Sequence, residues 1–96
     1  MSMRIEFTLA LIVLLFPTSL AATISVPADY TSIQAAIDAA QDGDVIEVQS
    51  GIYYENVDIN KPLTLRGLGM PTVYAGGKVS AIYFSADGIT LEGFVA

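Results

Sequence analysis

Thr31–Val57, TSIQAAIDAAQDGDVIEVQSGIYYENV, reads as a short amphipathic helix, a tight acidic turn, an apolar strand and a glycine-tyrosine turn. Thr31 and Gln34 stand in capping-box spacing, which predicts a helix starting at Thr31. Ile33, Ala36, Ile37 and Ala40 follow at i, i+3, i+4 and i+7 and form one apolar stripe, with Gln34, Asp38 and Gln41 off it. Gly43 is placed to end the helix in a left-handed conformation. A helix of about three turns is marginal alone, so its stripe has to cover other apolar surface. Asp44–Gln49 (DVIEVQ) then alternates as a strand, with Ile46 and Val48 on one face and Glu47 on the other.

Working outward, the strand half of this stretch recurs downstream. VDINKPLTLRG (Val57–Gly67) lies over IYFSADGITLEG (Ile82–Gly93): Val57 matches Ile82 and Ile59 matches Phe84 at a spacing of 25. After a one-residue insertion, Leu63 matches Ile89, Thr64 matches Thr90, Leu65 matches Leu91 and Gly67 matches Gly93 at a spacing of 26. Such a period, built from short strands, marks a solenoid coil, because each coil buries its inward residues only by stacking on its neighbour. An antiparallel sandwich would want two-residue hairpin signals, and Asp87-Gly88 alone resembles one. The predicted fold is therefore all-β: a right-handed, single-stranded parallel β-helix of two to three coils. The helix lies across its N-terminal end, and Thr23–Val26 (TISV), closed by Pro27, forms an edge strand. Phe84 is expected in the core beside Ile59. The chain stops at Ala96 directly after a strand and without a polar cap, so 23–96 reads as an incomplete domain whose uncapped end invites self-association.

Residues 1–22 read as a secretory signal peptide. Arg4 precedes the run Phe7–Phe16, apolar but for Thr8, and Ser19-Leu20-Ala21-Ala22 is a small-residue exit with cleavage after Ala21 or Ala22. An uncleaved anchor is the competing reading, but that run spans ten residues where crossing a bilayer takes about 20. The remaining 74 residues make a small domain with no cysteine or histidine, hence neither disulfide nor zinc to reinforce it. The net charge of −6 survives removal of Arg4 and Glu6 together. Lys61, Arg66 and Lys78 then remain as the basic side chains, too few for a nucleic-acid footprint, and an acidic surface disfavours anionic lipid.

The run TISVPADYTSIQAAIDAAQDGDVIEVQSGIYYENV, continued through LTLRGLGMPTVYAGG and ITLEGF, resembles the start of extracellular right-handed β-helix proteins of the pectate-lyase-like fold. The likeness is to periplasmic copper-binding NosD-like and surface-layer proteins, and more distantly to pectin methylesterases. It implies fold more than activity, since many functions use this scaffold. Gly51-x-Tyr53-x-Glu55 matches the opening motif of pectin methylesterases, where the resemblance implies a structural turn. The catalytic residues of that family come from later coils and have no counterpart before Ala96. Copper would want Cys, His or Met, and residues 23–96 offer Met70 alone, so no cofactor or metal is expected. Tyr74 stands where such coils more usually carry Asp.

Tyr54 and Tyr83 are the candidate ligand-binding residues: exposed aromatic faces on which sugar rings stack, against the plainer reading of surface tyrosines. Glu55 and Asp58 have the residue types of a glycoside-hydrolysing pair, against turn and surface roles. Asp42-Gly43-Asp44 with Glu47 lacks calcium-loop spacing and reads as a helix-to-strand turn. No Ser-His-Asp or Cys-His system is possible, and Gly67-x-Gly69 leads to Pro71, not to a phosphate loop. No catalytic residue is assigned. The leading expectation is a non-catalytic, secreted, periplasmic or cell-surface β-helix module whose partner is a polysaccharide or envelope glycan. The alternative is the N-terminal part of a carbohydrate-active enzyme, a lyase, esterase or hydrolase, with its catalytic coils elsewhere.

Overall fold

The computed structural model describes residues 21–76 and 81–95. Most of the stretch read from the sequence as a signal peptide, together with Gly77 and Lys78, lies outside them.

In chain order the elements are β1 (Thr23–Val26), α1 (Ile33–Ala39), β2 (Val45–Val48), β3 (Ile52–Tyr53), β4 (Val57–Ile59), β5 (Thr64–Gly67), β6 (Thr72–Val73), β7 (Ile82–Phe84) and β8 (Thr90–Glu92). Every pairing is parallel, in three sheets ordered β1-β2-β5-β8, β3-β6 and β4-β7. The described residues form a parallel β-solenoid of about three turns with one short helix. The register is the one the repeat predicts: Val57 opposes Ile82, Ile59 opposes Phe84, Thr64 opposes Thr90 and Leu65 opposes Leu91. Like residues stack although the offset between coils varies, so the apolar ladder Ile24, Ile46, Leu65, Leu91 runs down one face.

Helix α1 occupies the place in the winding where the next coils put their second and third strands. Its stripe supplies Ile33, Ala36, Ile37 and Ala40 to the same core as Val26, Ile46, Val48, Val57, Ile59, Leu63, Leu65 and Val73. Burying Ile33 and Ile37 completely is worth about 1.5–3 kcal/mol each, enough to hold a helix that would not persist alone.

Both helix ends differ from expectation. The N-cap is Ser32, not Thr31: Ser32 is extended (φ −125°, ψ 154°) and its Oγ accepts the Ala35 N–H at 3.1 Å. Gln34 is thereby free of the capping box and reaches β4 instead. Its Oε1 accepts the Asp58 N–H at 2.7 Å and its Nε2 donates to the Asp58 carbonyl at 3.1 Å. One side-chain amide thus satisfies both ladder groups of a residue on the edge of β4 that no strand covers. At the other end the helix stops at Ala39, because Ala40 is already extended (ψ 158°). Lys61 Nζ binds the Ala40 carbonyl at 2.8 Å and the Asp38 carbonyl at 3.3 Å, taking the place of a glycine cap. Gly43 serves the turn that follows, at φ +89°, where its N–H donates to the Pro62 carbonyl at 2.7 Å.

The recurring glycine of the repeat has a steric cause. Gly67 and Gly93 approach so closely that a Cβ on either would overlap the carbonyl of the other, and a Cβ on Gly67 would also lie 2.8 Å from Pro71 Cδ. On the outer face of the same sheet, Arg66 bridges the coils. Its Nε lies 2.7 Å from Glu92 and its guanidinium 3.5 Å from Glu47, and the hydrogen bond to Glu92 holds its pKa above the ordinary value. Phe84 corrects the expectation of a core aromatic. It sits over Ile59 in register, but it is 48% exposed and lies outside the buried core.

Candidate functional site

The turn after β3 builds the site. Gly51 has a φ of +145° and turns the chain out of sheet β1-β2-β5-β8. Tyr53 then points inward, and its hydroxyl donates to the Gln49 carbonyl at 2.9 Å. Partial burial, and after it the charge of Glu55, push the Tyr53 phenol pKa up, which keeps it a donor. Glu55 turns back toward the helix: Oε2 accepts the Ile33 N–H at 2.8 Å and Oε1 the Gln34 N–H at 3.0 Å. Two of the helix's unpaired N-terminal donors are therefore met by a carboxylate more than twenty residues away.

Tyr54, between those inward residues, points out and is 74% exposed. The next coil repeats the geometry, because Tyr53 opposes Val73 and the Tyr74 N–H donates to the Tyr53 carbonyl at 2.9 Å. Tyr74 therefore stands over Tyr54, with ring centroids 6.0 Å apart and planes at 87°. The two rings and Glu55, Asn56, Ala75 and Gly76 line an open groove of about 370 Å³. Among the described residues the Asn56 side-chain amide makes no hydrogen bond, and Asn56 is exposed in the groove lining. Two aromatic rings and a neutral amide in one groove lining suit a ligand that offers both C–H surfaces and hydroxyls.

Of the two tyrosines picked from the sequence, Tyr54 is in this groove and Tyr83 is not. Tyr83 lies on β7, in register with Asp58 of β4, and is 60% exposed. The structure does not bring the two together. Tyr74 was missed because its position was judged by the acidic residue it replaces. The signal that would have found it is the pair Ile52-Tyr53-Tyr54 and Thr72-Val73-Tyr74 at a constant spacing of 20.

The acidic candidates are occupied. Glu55 is tied to the helix, and Asp58 Oδ1 accepts the Ser85 hydroxyl at 2.8 Å. Asp44 is buried: Oδ2 accepts the Gln41 N–H and Oδ1 the Ala22 N–H, each at 2.9 Å, and these two bonds hold its pKa below the ordinary value near 3.8. Among the described residues no group of three or more His, Cys, Asp or Glu side chains is placed to hold a metal ion, and no helix is long and apolar enough to cross a membrane.

Among curated proteins, the chain is similar to a cell surface glycoprotein of the archaeon Methanothermus fervidus, 39% identical over 69 residues. The match takes in 69% of this chain and 12% of that protein, so the chain spans about an eighth of this relative's length. No protein-family model and no solved structure matches.

Proposed function

We propose that this chain is a non-catalytic, extracellular surface module that binds neutral carbohydrate in the Tyr54–Tyr74 groove. The likeness to part of a cell surface glycoprotein and the solenoid fold support the compartment. The edge-to-face tyrosine pair with Asn56 beside it is the observation that carries the ligand class. Pyranose rings present C–H groups on their faces and hydroxyls at their rims, which complements aromatic faces and an amide. Charge narrows the class further. With a net charge of −6 and Glu55 in the wall, a polyanion such as a polyuronate meets repulsion where a neutral glycan does not.

An array of neutral and acidic oligosaccharides, followed by titration calorimetry on any hit, tests this reading. Tyr54→Ala and Tyr74→Ala should each weaken binding at least about tenfold, the effect expected when an aromatic anchor is truncated. Tyr83→Ala, on the β4-β7 sheet outside the groove, should bind as the parent does. Equal affinity in all four proteins, or no binding by the parent to any neutral glycan, would refute the groove as the site.

A further inference from the structure

Ala22 is fastened to the fold at both of its backbone groups. Its carbonyl accepts the Val45 N–H at 2.9 Å, which begins the β1-β2 ladder, and its own nitrogen lies 2.9 Å from Asp44 Oδ1. Asp44 is only 7% exposed, and its other oxygen accepts the Gln41 N–H at 2.9 Å. Lys61 is the other charged group acting on it, and Lys61 Nζ is itself held by the carbonyls of Ala40 and Asp38. Buried carboxylates ordinarily face a full positive charge.

We infer that the leader is cut between Ala21 and Ala22, and that the α-ammonium group created on Ala22 forms an ion pair with Asp44 that locks β1 to the turn before β2. Hydrolysis of this bond by a leader-processing peptidase consumes one water. The Ala21–Ala22 amide breaks, Ala21 leaves as a carboxylate, and the Ala22 nitrogen takes up protons to become the ammonium. Local sequence favours this bond over the next one. Processing wants small residues at the first and third positions before the cut, which are Ala21 and Ser19 here, whereas a cut after Ala22 would put Leu20 at the third. The fold favours it as well. A cut after Ala22 discards both of that residue's hydrogen bonds and leaves Asp44 Oδ1 buried without a donor. A cut after Ala21 keeps both and changes a neutral donor into a charged one. Residues 21–23 are exposed, so the new chain end has room for its extra protons.

The test expresses the whole gene in an exporting host and reads the N-terminus of the exported protein by intact mass and N-terminal sequencing. A chain beginning at Ala22 is expected; one beginning at Thr23 or beyond, or one retaining the leader, overturns the inference. The pairing is read separately, by isotope-labelled reductive methylation of the α-amine and its NMR titration. Its pKa should rise by about one unit above the ordinary value of roughly 7.7–8.0. Asp44→Asn, which keeps one of the two acceptor oxygens and removes the charge, should return it to that range. An α-amine that titrates at its ordinary value in the parent protein overturns the ion pair, whatever the variant does.

Discussion

Replacing Glu55 by alanine removes the two hydrogen bonds that join the turn after β3 to the first residues of α1, at 2.8 and 3.0 Å. Hydrogen bonds to a charged acceptor are worth about 1.5–3 kcal/mol each. The site is partly exposed, so water takes over some of the vacated N–H groups, and the summed loss falls to about 2–3 kcal/mol. A domain of this size has roughly 4–11 kcal/mol to lose. The helix is seven residues long and cannot persist once its start is released, so Ile33 and Ile37 are loosened along with it. Urea unfolding followed by far-ultraviolet circular dichroism should show an earlier midpoint. Native-state hydrogen exchange should show the Ile33 and Gln34 amides opening before those of β2 and β5. Glu55→Gln keeps one acceptor oxygen and should lose about half as much. A midpoint within error of the parent's for Glu55→Ala would refute the reasoning, as would a destabilised variant whose α1 amides stay protected.

Gly67→Ala should fail to give soluble, ordered protein, because the new Cβ overlaps the Gly93 carbonyl and approaches Pro71; near-parental yield and dichroism would show that the coils can separate there. Gln34→Ala leaves the Asp58 N–H and carbonyl without their partner on the open edge of β4, and should cost about 1–2 kcal/mol in urea unfolding and speed exchange of the Asp58 amide. Asp44 sets a pH dependence. Its folded pKa is depressed, so its contribution is fully present above the unfolded value near 3.8 and is lost as pH falls through the lower folded value. Asp44→Asn should therefore flatten the acid limb of the stability curve below about pH 4, while an acid limb identical to the parent's would assign it to other carboxylates.

The coil register was legible in the sequence because a solenoid writes its geometry as a spacing. Val57 over Ile82 and Leu65 over Leu91 follow from matching like with like, and the strands obey. The helix face was legible for the same reason, since one stripe fits one period. Helix ends were not. Ser32 wins the cap over Thr31, and Gln34 abandons the box, because a strand edge more than twenty residues away offers it two hydrogen bonds. Local spacing carries no trace of that competition. Phe84 failed differently. Its register was right, but register fixes which residue lies beneath it and not what lies above. Of the groove residues, Tyr54 was picked from the sequence as an exposed aromatic, whereas the pairing of Tyr74 with it becomes visible only when the turns, and not the strands alone, are laid over each other.

That turn explains how one short segment serves both the fold and the groove. Strand alternation does not stop where the ladder ends at Tyr53. Tyr53, Glu55, Val57 and Ile59 continue to face the protein, and Ile52, Tyr54, Asn56 and Asp58 to face away. The inward row is committed side chain by side chain: Tyr53 to the Gln49 carbonyl, Glu55 to the helix, Val57 and Ile59 to the core. In the outward row Asp58 is tied to the next coil through the Ser85 hydroxyl, whereas Tyr54 and Asn56 are held in place by neighbours whose energy comes from elsewhere. Removing the Tyr54 or Tyr74 ring should therefore weaken glycan binding and leave the unfolding midpoint almost unchanged. Removing the Glu55 carboxylate should shift the midpoint first and weaken binding only through the loosened turn. A Tyr54→Ala protein as unstable as Glu55→Ala would show that the outward row also holds the fold together, and the division of labour within the turn would be wrong.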